Sequence, residues 1–184
     1  LPALAKQILQ QGGGRLSIWS AGCASGEEPY TLSLLWAFVL GARFPGLRLS
    51  ILATDADAHL LERAEAACYA YGSIKNLPET WRDRAFRRTD ERYCLLRRLT
   101  RPVEFSLQDV RDSIPEGPFH IVLCRNLVFT YFDTELQLDF LDRLEREMHP
   151  SGILLLGVHE SLPESGHGFT DASARWGFYA LQPP

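Results

Sequence analysis

Four cysteines stand in 184 residues, and none is spaced as C-x-x-C. Cys23, Cys68, Cys94 and Cys124 lie far apart, so neither a zinc site nor a compact disulfide framework is expected. Cys23 and Cys124 fall near strand ends and are expected to be buried free thiols rather than nucleophiles. Reduced cysteines point to the cytoplasm. There is no apolar run long enough to cross a bilayer and no basic-then-apolar leader, so membrane insertion is not expected. Excess positive charge is also missing. The net charge is −4, which provides no basic footprint for nucleic acid. The densest basic stretch, Arg82, Arg84, Arg87 and Arg88, is interleaved with Asp83, Asp90 and Glu91 and reads as a solvated face. Internal repeats and low-complexity segments are absent. So is G-x-G-x-x-G: Gly22 and Gly26 are followed by Glu27 and Glu28, which sets aside a nicotinamide-dependent dehydrogenase. His159-Glu160 and His167 do not form a metal set. His120 opens a strand and reads as structural.

What is present is alternation. Helical signals cover residues 3–10, and then from Glu27 to Gly41, where Leu32, Leu35, Trp36 and Val39 follow helical spacing. Further helices are expected over 57–68, 77–86 and 134–148. In the last of these, Leu136, Phe140, Leu141, Leu144 and Met148 form one apolar stripe, and Thr134 with Gln137 resembles a capping box. Pro150-Ser151-Gly152 reads as its end. Strands are expected over 15–20, 47–54, 93–99, 103–107, 119–124 and 153–158, with a terminal hairpin between Gly168 and Leu181. Strands that alternate with helices imply βαβ units and a mostly parallel sheet. Their near-continuous apolar runs imply helices on both faces. One domain over 1–184 is expected, with an insert at about 69–101 between the second and third core strands.

In such sheets a ligand lies beyond the carboxyl ends of the strands, where the strand order reverses. Ala21–Glu28, Asp55, Asp109, Arg125-Asn126 and His159-Glu160 all fall there. The small residues of the first turn let a ligand approach the backbone. The paired glutamates at the helix start would repel a pyrophosphate and favour a cation, although they also complement the helix dipole. Asp55 can accept hydrogen bonds from ribose hydroxyls, or it can cap the next helix, a place Asp57 can fill instead.

Four segments carry a resemblance. Trp19-Ser20-Ala21-Gly22-Cys23-Ala24-Ser25-Gly26-Glu27-Glu28-Pro29-Tyr30 resembles the signature loop of CheR-type methyltransferases, the enzymes that methylate chemoreceptor glutamates. Ala53-Thr54-Asp55-Ala56-Asp57 resembles the ribose-binding strand end of that family. Cys124-Arg125-Asn126-Leu127 with Tyr131-Phe132-Asp133 resembles its CRN…YFD motif, with one residue more than the usual spacing before Tyr131. Gly157-Val158-His159-Glu160-Ser161-Leu162 resembles its GHSE strand end. The four occur in family order over roughly 15–181.

The resemblance implies a Rossmann-like class I methyltransferase fold, with the insert and a C-terminal antiparallel hairpin. It implies S-adenosylmethionine as cofactor and S-adenosylhomocysteine as product. Ala21, Gly22 and Glu28 would meet the methionyl end, Glu28 at the amine. Asp55 would take the ribose, with Ala56 beside the adenine. Asp109 and Val110 would contact the adenine, and Asn126 and Leu127 would line the methionyl part. Tyr131 and Asn126 are the expected catalytic residues, Tyr131 near the transferable methyl. The family's N-terminal helical domain has no counterpart in these residues. The expected partner is a protein with an accessible glutamate, such as a chemoreceptor. The alternatives are a CheR-like enzyme acting on a small molecule or another protein, and a SAM-binding module without catalysis.

Overall fold

The computed structural model describes residues 1–182. The elements in order are α1 (Pro2–Gln10), β1 (Arg15–Ala21), α2 (Glu27–Leu35), β2 (Arg48–Asp55), α3 (Ala58–Ala66), β3 (Cys68–Tyr69), α4 (Tyr71–Ile74), α5 (Glu79–Ala85), β4 (Phe86–Thr89), β5 (Arg92–Leu95), α6 (Arg97–Thr100), β6 (Val103–Leu107), β7 (Phe119–Cys124), α7 (Val128–Tyr131), α8 (Thr134–Glu147), β8 (Met148–Leu155), β9 (Phe169–Ser173) and β10 (Phe178–Leu181). Seven strands form one sheet in the order β6-β2-β1-β7-β8-β10-β9. The first five pair in parallel, while β10 runs antiparallel to both β8 and β9. This is a Rossmann-like doubly wound sheet. From β1 the chain runs outward through β2 to β6, then returns to β7 on the other side of β1. That reversal opens a crevice at the carboxyl ends of β1 and β7.

Both faces of the sheet are buried, as the continuous apolar runs require. Trp19, Val122, Leu154 and Leu156 pack with Phe140, Leu141 and Leu144 of α8 on one face. Leu16, Ile18, Ile121 and Leu123 pack with Ala5 and Ile8 of α1 on the other. Burying a leucine or phenylalanine side chain contributes about 1.5–3 kcal/mol. Phe140, Leu141 and Leu144 of α8, all fully buried, supply the apolar area that holds it against the sheet. Leu136, expected on the same stripe, is 42% exposed. Trp19 places its only polar atom without loss: Nε1 donates to Thr54 Oγ1 at 2.9 Å, inside the β1–β2 pair.

Several boundaries differ from expectation. The α8 N-cap is Asp133, whose carboxylate accepts from the Leu136 amide at 3.0 Å, and not Thr134. Gln137 donates instead to the Phe132 carbonyl at 2.8 Å. Pro150-Ser151-Gly152 does not end the helix but lies within β8, which begins at Met148. Ser151 takes a left-handed φ of 66° there, and the β7–β8 register shifts between Phe119 and Ile121. Gly41 does not stop α2. A π turn over Trp36–Leu40 and a 3-10 turn over Gly41–Arg43 carry the chain on to Phe44. The expected strand over 93–99 splits into β5 and the short helix α6.

The insert forms a three-stranded antiparallel sheet of its own, in the order β3-β5-β4. Here the cysteine expectation is corrected. Cys68 and Cys94 face each other in the β3–β5 register and are joined as a disulfide. Their sequence separation of 26 hid the pair, because only the fold of the insert brings them together. Cys23 and Cys124 are buried free thiols, as expected. The inference of a cytoplasmic setting from four reduced thiols loses two of them. Among the described residues, no helix is long and apolar enough to cross a membrane.

Candidate functional site

The loop after β1 is built around a helix start without a side-chain cap. Gly26 occupies the N-cap of α2 at φ 85°, and Glu27 and Glu28 fill its first turn. A Cβ on Gly26 would stand 2.9 Å from the Ala64 Cβ and 3.2 Å from the Tyr69 hydroxyl, so only glycine fits. The two glutamates have different tasks. Glu27 accepts from Ser25 Oγ at 3.0 Å and from Ser73 Oγ of the insert at 3.2 Å. Glu28 accepts from Ser20 Oγ at 2.8 Å and from Arg125 Nη1 at 3.1 Å. The insert is tied to this loop a second time, where the buried Tyr69 hydroxyl donates to the Ser25 carbonyl at 2.8 Å.

Asp55 ends β2 beside the same loop. Its carboxylate accepts from the Ala24 amide at 2.8 Å and from the Asp57 amide at 3.0 Å. Asp57 is the true cap of α3, accepting from the His59 and Leu60 amides. An ionised carboxylate has about four acceptor sites. Asp55 and Glu28 each have two in use, which leaves each two for a ligand.

A cavity of about 180 Å³ is lined by Gly22, Asp55, Ala56, Asp109, Val110 and Leu127, together with Gln108, Arg111 and Phe132. Six of the nine residues expected to hold the cofactor thus line one cavity. Ala21, Glu28 and Asn126 lie outside its lining. Ala21 is buried at the end of β1, paired with Thr54 and Cys124. Gly22 has φ 68°, and a Cβ there would stand 2.8 Å from Leu127 Cδ2. The cavity is smaller than the roughly 300–1,000 Å³ of complete ligand pockets. It offers room for part of a larger ligand.

Sequence reading had not singled out Gln108, Arg111 or Phe132. Phe132 was visible only as the middle of Tyr131-Phe132-Asp133. Arg111 clamps Asp109, with Nε 2.9 Å from Oδ1 and 3.0 Å from Oδ2. The guanidinium and the Arg111 amide hold the Asp109 carboxyl below the usual carboxylate range. Tyr131 does not line the cavity: its ring is 74% exposed at the end of α7. Thr130 precedes Tyr131 at the end of α7. Its hydroxyl donates to Glu160 at 2.6 Å.

Neither free thiol is a candidate nucleophile. Burial, with Asp55 nearby, pushes Cys23 up to about 12. Burial likewise pushes Cys124 up to about 12. Burial therefore disfavours the thiolate of both at neutral pH. Among the described residues no group of three His, Cys, Asp or Glu could hold a metal ion. His120 is structural: its ring stacks on His149 with centroids 4.7 Å apart, and its Nδ1 accepts from the Ser17 amide at 3.2 Å.

Against known proteins, the family described as CheR methyltransferase, SAM binding domain, matches residues 1–178. A chemotaxis protein methyltransferase of Listeria monocytogenes is 31% identical over 164 residues, covering 87% of this chain and 61% of that protein. The chemotaxis protein methyltransferase of Escherichia coli is 34% identical over 164 residues, covering 85% and 56%. The probable biofilm formation methyltransferase WspC of Pseudomonas aeruginosa is 34% identical over 161 residues, covering 85% and 37%. The chain thus spans between 37% and 61% of the length of these relatives.

Proposed function

The chain belongs to the CheR methyltransferase family, as its SAM-binding domain, and from that premise we propose that the cleft at the carboxyl ends of β1, β2, β6 and β7 binds S-adenosylmethionine for transfer of its methyl group to a protein glutamate. The observation that carries this is the single cavity shared by Gly22, Asp55, Ala56, Asp109, Val110 and Leu127. These residues come from four separate strand ends, and their chemistry suits the ligand. Val110, Leu127 and Phe132 are apolar surfaces for a heterocycle. Asp55 has acceptor sites left for a ribose diol. Glu28, beside the open end of the first loop, has acceptor sites left for an ammonium.

When bound, the cofactor supplies a methyl group on a cationic sulfur. The protein's part is alignment and exclusion of water. A glutamate acceptor, with an ordinary pKa of about 4.3, is ionised at neutral pH and needs no general base. A site without an acid–base dyad is compatible with that chemistry. Asn126 stands at the end of β7 in a left-handed conformation, φ 53°, where it directs the chain into Leu127 and α7. Tyr131 presents an electron-rich ring at the exposed end of α7, a group whose face favours a cation such as the methyl-bearing sulfonium. A chemoreceptor or a similar protein with an exposed glutamate is the proposed partner, and the cytoplasm the proposed setting.

The test is calorimetry of the full chain with S-adenosylmethionine and S-adenosylhomocysteine, followed by transfer of labelled methyl groups. Binding of both, with base-labile label entering a receptor fragment, is the expected result. No binding removes the cofactor assignment. Binding with label only in a small molecule, or with no turnover on any acceptor, removes the glutamate assignment and leaves the cofactor.

A further inference from the structure

Glu160 is the common anchor of three segments around the far side of the cleft. Its Oε2 accepts from the Asn126 amide at 2.8 Å and from the Gly157 amide at 2.7 Å. Its Oε1 accepts from the Thr130 hydroxyl at 2.6 Å. These donors lie just after β7, within α7 and just after β8. All three bonds converge on one carboxylate. The surroundings are shaped to admit the carboxylate. A Cβ on Gly157 would stand 2.7 Å from Glu160 Oε2 and 2.8 Å from Asn126 Oδ1. The left-handed turn at Asn126, which any residue but glycine adopts at a cost, is held by the first of these bonds.

We propose that Glu160 is a positioning residue for the methyl-donor end of the site. By fixing Asn126, α7 and the end of β8 in one arrangement, it sets the path of the chain from Asn126 into Leu127, which lines the cavity, and aims the Tyr131 end of α7. This role presupposes the cofactor reading above. It is a role of shape, not of charge. Both oxygens are engaged by backbone and hydroxyl donors, and the side chain serves as acceptor for the loops.

Glutamine and alanine at this position separate the two possibilities. In Glu160→Gln the amide oxygen still accepts from both backbone amides, and the amide NH2 donates to Thr130 Oγ1 with the hydroxyl turned to accept. Glu160→Ala strands all three donors. Affinities for S-adenosylmethionine and S-adenosylhomocysteine would be measured on the full chain, well below the melting midpoint of each variant. Amide exchange at Asn126 and Gly157 would be followed without ligand. The expected result is that Glu160→Ala weakens both ligands alike, on the order of tenfold or more, and loses protection at both amides. Glu160→Gln should restore most of the affinity and the protection. Selective weakening of the cationic S-adenosylmethionine, equal in both variants, would overturn positioning in favour of a charge effect. Unchanged affinity in Glu160→Ala, with only a lower melting temperature, would reduce Glu160 to a stabilising residue. Wild-type protein that binds neither ligand removes the cofactor reading and this role with it. Wild-type binding that survives Glu160→Ala removes the role alone.

Discussion

Arg125 reaches Glu28 from the end of β7, its Nη1 3.1 Å from Oε2. The pair joins the two strand ends that flank the point of reversal, and it brings a cation to the carboxylate proposed to receive the ligand ammonium. A ligand must share Glu28 with this guanidinium. Glu28→Gln keeps the size but loses the charge for both. The expected outcome is a weakening of S-adenosylmethionine binding of about 10- to 100-fold, equivalent to the roughly 1.5–3 kcal/mol of a hydrogen bond to a charged group. Calorimetry checks it. Unchanged affinity would place the ammonium elsewhere.

Asp55 holds two amides of its own loop, those of Ala24 and Asp57. Asp55→Ala strands both donors as well as any ribose contact. Stability is expected to fall by about 1–3 kcal/mol, and cofactor affinity to fall further than it does for Asp57→Ala, which removes only the α3 cap. Urea titration and calorimetry on both variants separate the loop effect from the ligand effect.

Gly22→Ala puts a Cβ on a left-handed residue, against the Leu127 side chain. The backbone cost alone is about 1–2 kcal/mol. Displacement of Leu127 from the cavity wall should weaken the cofactor in addition. Gly12→Ala, also left-handed but with nothing near its Cβ, should share the stability loss and keep the affinity.

The disulfide has a direct chemical readout. Unfolded without reductant, the chain should show two titratable thiols, Cys23 and Cys124; reductant should raise this to four. Cross-linking over a separation of 26 residues is worth about 3.5 kcal/mol on chain-entropy grounds. The Cys68→Ser, Cys94→Ser double variant should lose stability of that order. Four thiols without reductant would show that the bond does not form.

Burial, with His149 stacked beside it, depresses the pKa of His120 below its ordinary 6.5. Its Nδ1 can accept from Ser17 only while unprotonated. The folded state therefore binds this proton less readily than the unfolded chain does. The stabilising contribution is complete above the unfolded value and is lost as pH falls through the folded one. Stability measured from pH 7.5 downward should drop more steeply below about 6.5 than in His120→Asn, whose curve should be flatter there.

Strand 119–124 was legible as a nearly continuous apolar run buried in the middle of the sheet, and the edge strand 103–107 by its apolar alternation; both match to the residue. The cleft was legible because its residues are the polar positions that follow those runs. Other features depend on competition that a sequence does not resolve. Asp133 and Thr134 are both good caps, and the Leu136 amide selects Asp133. Leu95, Leu96 and Leu99 fit either a strand or a turn of helix, and the edge of the small insert sheet decides. The Cys68–Cys94 bond and the Glu160 hub join residues distant in sequence, so no spacing announces them. Glu27 looked like a partner of Glu28 for one ligand, yet Ser73 of the insert occupies it.

The parts that line the cleft and anchor its wall run from Gly22 to Glu160, gathered from segments that follow five strands of the sheet, β1, β2, β6, β7 and β8. No contiguous peptide of this chain contains them. Affinity for the cofactor therefore belongs to the native state alone, and the unfolded chain has nothing to offer it. Saturation becomes a thermodynamic load on one side of the folding equilibrium, about 2.7 kcal/mol at a ligand concentration one hundred times its dissociation constant. The melting temperature then reports occupancy without any assay of methyl transfer.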